Sequence, residues 1–164
     1  MWGYRQNEDE NMAGDIEARL LTMGIRLPEP AAPAANYVPV TQSGRLLFVS
    51  GQLPIGPEGL AKGKLGADFT VEQGQAAARL CAVNILAQMR RALGDLDRIA
   101  RCVKLGGWVN CTPEFTDQPQ VVNGASDLIV EALGDKGRHA RFAVGAPSLP
   151  FGAAVEVEAV FEAD

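Results

Sequence analysis

The last strand-like run of this 164-residue chain alternates strictly. Val155, Val157, Ala159 and Phe161 fall on one side, and Glu156, Glu158, Val160 and Glu162 on the other. A period of two is the signature of a β-strand with one face buried and one face open. The apolar set predicts a core contact, and the acids predict a solvated or functional face. The plain reading is a strand with one face in the core and the other in solvent.

The preceding segments supply the cover. Val71 to Leu93 reads as the clearest helix, with Ala77, Leu80, Cys81, Asn84, Leu86 and Met89 near helical spacing and Gly94 as its stop. Gln120 to Leu133, stopped by Gly134, reads as a second helix, and Asp15 to Met23 as a short N-terminal one ending at Gly24. The run 27–33, rich in proline, cannot be helical. Tyr37 to Thr41 reads as an edge strand because Pro39 cannot donate to an interior ladder. Leu46 to Ser50 reads as a strand buried on both faces, followed by a glycine-rich loop to Gly66. Ile99 to Val109, Ala140 to Val144 and Ala154 to Glu162 complete the strands. The order ββ-α-β-α-ββ predicts an α+β fold with helices on one face of a mixed sheet. Residues 1–11 read as a flexible tail, Met12 as the physiological start, and 12–164 as a single domain.

Composition narrows the function. The net charge of −5 and pI of about 4.9 do not attract phosphate backbones, so nucleic acid is disfavoured as a partner. No run is long and apolar enough to span a bilayer, and the polar N-terminus is no secretory signal, so the expected location is the cytoplasm. Cys81, Cys102 and Cys111 are an odd set with apolar neighbours, read as buried reduced thiols. The loop Gly59 to Leu65 imitates a phosphate loop but is one residue short and lacks the hydroxyl after lysine. Neither a G-x-G-x-x-G after a strand nor a G-x-S-x-G elbow occurs, and the lone His139 reads as a polar residue where a strand begins.

Arg141 is the residue that points to chemistry. It lies in His139-Ala140-Arg141-Phe142-Ala143-Val144, whose small and apolar neighbours predict a buried strand. A guanidinium there loses hydration and needs a partner. Either it makes a structural ion pair with the acids of the last strand, or it grips a small anion near a carboxylate that activates water. Spacing leaves both open.

The chain from about Tyr37 to Glu158 resembles the RidA/YjgF family, often labelled L-PSP endoribonuclease. The matching pieces are Tyr37-Val38-Pro39, Ser50-Gly51-Gln52-Leu53-Pro54, the helix bearing Asn84, Gly94-Asp95-Leu96, Ala140-Arg141-Phe142-Ala143-Val144, Leu149-Pro150 and Val155-Glu156-Val157-Glu158. The stretch from Gln118 to Ser126, with the N-terminal helix, resembles the longer branch of the family. The resemblance implies a chorismate-mutase-like fold and a homotrimer with sites at the subunit clefts. It implies a deaminase that turns reactive 2-imino acids into 2-keto acids and ammonia, with no cofactor and no metal. Arg141 would bind the substrate carboxylate and Glu156 would hold the attacking water. Tyr37, Gly51 and Asn123 would line the pocket. Ala143 stands where deaminating members often carry cysteine; the family uses mainly the backbone carbonyl there. The alternatives are a non-catalytic trimer that binds small acids, an endoribonuclease as in the family label, and a chaperone-like trimer.

Overall fold

The structure, a computed structural model, describes residues 14–30 and 35–164; the expected tail and Met12 lie outside them. The elements are α1 (Asp15–Thr22), β1 (Val40–Ser43), β2 (Leu46–Gln52), β3 (Ile55–Gly56), β4 (Gly59–Leu60), α2 (Val71–Leu93), β5 (Ile99–Asn110), α3 (Gln118–Leu133), β6 (Ala140–Ala146) and β7 (Val155–Ala163). β1, β2, β7, β5 and β6, in that order, form a five-stranded sheet, and β3 with β4 forms a small separate hairpin. All neighbours in the large sheet are antiparallel except β5 and β6, which the α3 crossover makes parallel. This is the expected mixed sheet with helices on one face.

α2 starts where Thr70 and Gln73 complete a reciprocal capping box, each side chain meeting the other's backbone N–H. It ends at Gly94, whose φ of +79° suits a residue without Cβ. Its buried stripe runs through Ala77, Ala78, Cys81, Ala82, Ile85, Leu86 and Met89. Leu80 and Asn84, placed with that stripe on spacing alone, are only half-buried. Leu80 abuts Gly56, while the Asn84 amide donates to Leu53 O at 2.9 Å and Ile55 O at 3.0 Å. That pair of bonds ties the chain leaving β2 to α2.

α3 packs along α2 at close range. A Cβ on Gly124 would lie 2.0 Å from the backbone oxygen of Gln75, so the approach requires glycine. Between these helices and the sheet lies the core, where Leu47, Val49, Leu105, Val109, Val155, Val157 and Phe161 meet Ile85, Leu128 and Ile129. The alternation of β7 holds along its whole length, the odd-numbered residues being buried and the even-numbered ones half-exposed.

Two expectations about the sheet are corrected. β2 is not buried on both faces: Leu47 and Val49 face the helices, while Leu46 and Phe48 are exposed. β6 is not a buried strand either, because it closes one edge of the sheet and its residues range from half-buried to exposed. In both cases apolar residues line the helix-free face, where Trp108 and Phe142 pack edge-to-face at 4.9 Å.

The lysine of the phosphate-loop imitation is committed elsewhere. Lys64 Nζ donates to Asn110 Oδ1 at 2.6 Å and to Pro147 O at 2.5 Å, and Asn110 Nδ2 donates to Ala153 O at 3.1 Å. Asn110 is buried, so its loss leaves a cavity and strands the buried Ala153 carbonyl, while Lys64 keeps Pro147 O. Asn110→Ala is expected to lower stability by about 2–3 kcal/mol, read as a shifted denaturant midpoint with unchanged slope.

Candidate active site

Paired residues in neighbouring strands share a face. Arg141 pairs with Leu105, and Leu105 with Ala159, so Arg141 stands on the helix-bearing side. Ala143, paired with Gly107, shares that side. Glu156 pairs with Trp108, which pairs with Val144, so Glu156 stands on the open side. The cation and the carboxylate expected to work together thus lie on opposite faces within one chain, and the structural ion pair between them does not form.

The partners of Arg141 are neutral. Its Nη1 donates to Asn123 Oδ1 at 2.8 Å and to Ser126 Oγ at 3.1 Å, and Nη2 donates to Pro119 O at 3.3 Å. Residues 119, 123 and 126 are spaced four and three apart on α3, so they form one row facing β6. Pro119 fits the first turn because no intrahelical bond is asked of its nitrogen. A guanidinium has five N–H groups, and with three occupied, Nε–H and one Nη2–H have no partner among the described residues. Those are the two donors that a bidentate carboxylate takes. Among the described residues no acid lies within ion-pair distance of Arg141.

Ser126 and His139 belong to the same constellation, and the sequence reading missed their link to Arg141. Ser126 Oγ lies 2.9 Å from His139 Nε2, and His139 Nδ1 lies 2.5 Å from Gly137 O. The polar row at 119, 123 and 126 was the signal that could have found Ser126.

Glu156 belongs to a second cluster. A Cβ on Gly51 would fall 2.1 Å from Glu156 Oε1, so only glycine lets the carboxylate lie against β2 at this point. Burial, with the like charge of Glu158 on the same face second, raises the Glu156 carboxyl above its usual range. Tyr37 precedes β1 and is 55% exposed. β1 and β6 are opposite edges of the sheet, so about 19 Å separates the strands near Tyr37 and Arg141, at about 4.8 Å per strand. Within one chain the candidate residues therefore fall into two separate groups: Tyr37, Gly51 and Glu156 from the β1 edge to the central strand β7, and Arg141, Asn123 and Ala143 at the β6 edge.

The raised proton affinity has a stability consequence. Between 4.5 and the raised value the folded chain binds more protons than the unfolded one, so stability falls as pH rises through that window. Glu156→Gln is expected to raise the thermal midpoint near neutral pH by about a degree or two. The gain disappears below 4.5, where the wild-type carboxyl is itself neutral.

The thiols offer no nucleophile beside either cluster. Burial raises Cys81 well above its usual value and pushes Cys102 up to about 12, and all three cysteines are free and buried as expected. No group of three or more metal-ligating side chains occurs among the described residues, and none of their helices is long and apolar enough to cross a membrane.

Comparison with known proteins agrees with this architecture. A family model described as "YjgF/chorismate mutase-like, putative endoribonuclease" matches residues 17–162. Protein TCP17 of Trypanosoma cruzi is 56% identical over 152 residues, which span 92% of this chain and 95% of that one. Protein Atu1372 of Agrobacterium tumefaciens, a solved structure, superposes with a TM-score of 0.87 at 53% identity, covering 94% of this chain and 96% of its own. RidA from the Antarctic bacterium Psychrobacter sp. PAMC 21119 superposes with a TM-score of 0.56 at 26% identity, and 82% of this chain accounts for 94% of that one. This chain thus carries length beyond the RidA match.

Proposed function

This chain belongs to the YjgF/chorismate-mutase-like family, and we propose that it hydrolyses 2-imino acids to 2-keto acids and ammonia in a cleft shared by neighbouring copies of a homotrimer. The observation that carries the reading is the state of Arg141: oriented by neutral oxygens, with two N–H donors left and no carboxylate beside it among the described residues. A 2-imino acid places a carboxylate next to an electrophilic C=N carbon. The guanidinium grips the carboxylate with parallel bonds and fixes that carbon in place.

Glu156, supplied by the adjacent copy, accepts a proton from water as the water oxygen bonds to the imine carbon. The C=N π electrons move to nitrogen, which takes up the proton. The carbinolamine then collapses: Glu156 carries its hydroxyl proton to the amine nitrogen, the C–N bond breaks, ammonia leaves and the carbonyl forms. A carboxyl with raised proton affinity suits this transfer better than an ordinary one. The imine already hydrolyses in water, so positioning supplies most of the required acceleration. The open sheet face, with exposed Phe48 on β2 and exposed Val144 beside Trp108, supports self-association.

The test couples an amino-acid oxidase to the purified chain and follows imine loss. Imine should disappear at least about tenfold faster than in buffer, with keto acid and ammonia appearing in equal amounts. Binding of a keto acid without acceleration would leave the non-catalytic binder. The endoribonuclease in the family description meets a chain of net charge −5; RNA cleavage lost on Arg141→Ala would support it.

A further inference from the structure

We infer that Ser126 and His139 are positioning residues: a hydrogen-bond relay from the Gly137 carbonyl through the imidazole and the serine hydroxyl that locks the Arg141 guanidinium in its anion-gripping orientation. The inference rests on the carboxylate-binding reading of Arg141.

The direction of each bond follows from what its atoms can do. A carbonyl oxygen only accepts, so with Gly137 O at 2.5 Å the His139 proton sits on Nδ1. Nε2 of the neutral ring is then an acceptor, and the Ser126 hydroxyl at 2.9 Å donates into it. With its single proton spent, the serine oxygen turns lone pairs to Arg141 Nη1 at 3.1 Å.

The relay sets both the plane and the charge of the guanidinium. Asn123 Oδ1 and Ser126 Oγ take both Nη1 protons, which orients the remaining donors. Every group in the relay is neutral, so Arg141 is fixed without being neutralised, and its charge stays available to an acid. A carboxylate at the serine position would hold the guanidinium as firmly but cancel that charge.

The experiment exploits His139 being the only histidine in the chain, so its ring signals need no assignment. The probe is 2-oxobutanoate, followed by calorimetry and by nitrogen-15 NMR of the imidazole. In the wild type the ring signals should shift on titration and saturate with the calorimetric isotherm. Ser126→Ala should weaken 2-oxobutanoate binding by about tenfold and silence the ring response. Ser126→Thr keeps the hydroxyl and should restore both. Because the relay is serial, Ser126→Ala combined with His139→Gln should bind no more weakly than Ser126→Ala alone. Unchanged binding in Ser126→Ala, or a Ser126→Thr variant as weak as alanine, would overturn the relay. If the wild type does not bind 2-oxobutanoate, the carboxylate reading fails. The relay is then judged without ligand: an Nδ1–H tautomer whose Nε2 signal moves in Ser126→Ala sustains it, and an Nε2–H tautomer overturns it.

Discussion

Arg141→Ala should lower kcat/KM for imine hydrolysis by about two to four orders of magnitude, because two charge-assisted hydrogen bonds of about 1.5–3 kcal/mol each vanish from the transition state. The fold should survive. Arg141 is half-buried on an edge strand, and the oxygens it leaves behind on Asn123, Ser126 and Pro119 sit where water can replace it. The thermal midpoint should therefore move by only a few degrees. Arg141→Lys should not rescue, since an ammonium is a point charge and cannot satisfy Asn123 and Ser126 while also spanning both oxygens of a substrate carboxylate. The check is kcat/KM in the oxidase-coupled assay beside a melting curve. Full activity in Arg141→Ala would remove this residue from the mechanism.

How much of this was legible in the sequence depends on which interactions are local. The limits of α2 could be read because the apolar stripe lies within the helix and Gly94 directly follows it; its capping box at Thr70 and Gln73 was equally local. The β7 alternation predicted one core face and one open face for that strand, and its burial alternates accordingly. The misreadings of β2 and β6 share a cause. An apolar run records burial without saying what buries it, and Phe48 and Val144 face outward from a single chain. Strand register escaped as well. Arg141 and Glu156 are each placed on a face by a period of two, but whether those faces coincide depends on the parallel pairing of β5 with β6 and the antiparallel pairing of β5 with β7. His139 was rightly placed where a strand begins, yet its meaning depended on Ser126 one element earlier.

The separation of Arg141 from Glu156 within one chain leads to the second large expectation. If each site takes Arg141 from one copy and Glu156 from the next, two inactive variants should repair each other. Arg141→Ala subunits retain an intact Glu156 half, and Glu156→Gln subunits retain an intact Arg141 half. Unfolded together in equal amounts and refolded as random trimers, they should recover about one quarter of wild-type activity, since each half of a cleft is intact with a chance of about one half. The variants mixed without subunit exchange should stay near background, which controls for residual activity of either. A site contained in one chain could not be repaired this way, because every chain in the mixture carries a lesion. Recovery should also depend on the mixing ratio, peaking at equal amounts and falling symmetrically on either side. Background activity at every ratio, with mixed trimers demonstrated by mass spectrometry, would rule out the shared cleft and require Arg141 and Glu156 to act apart.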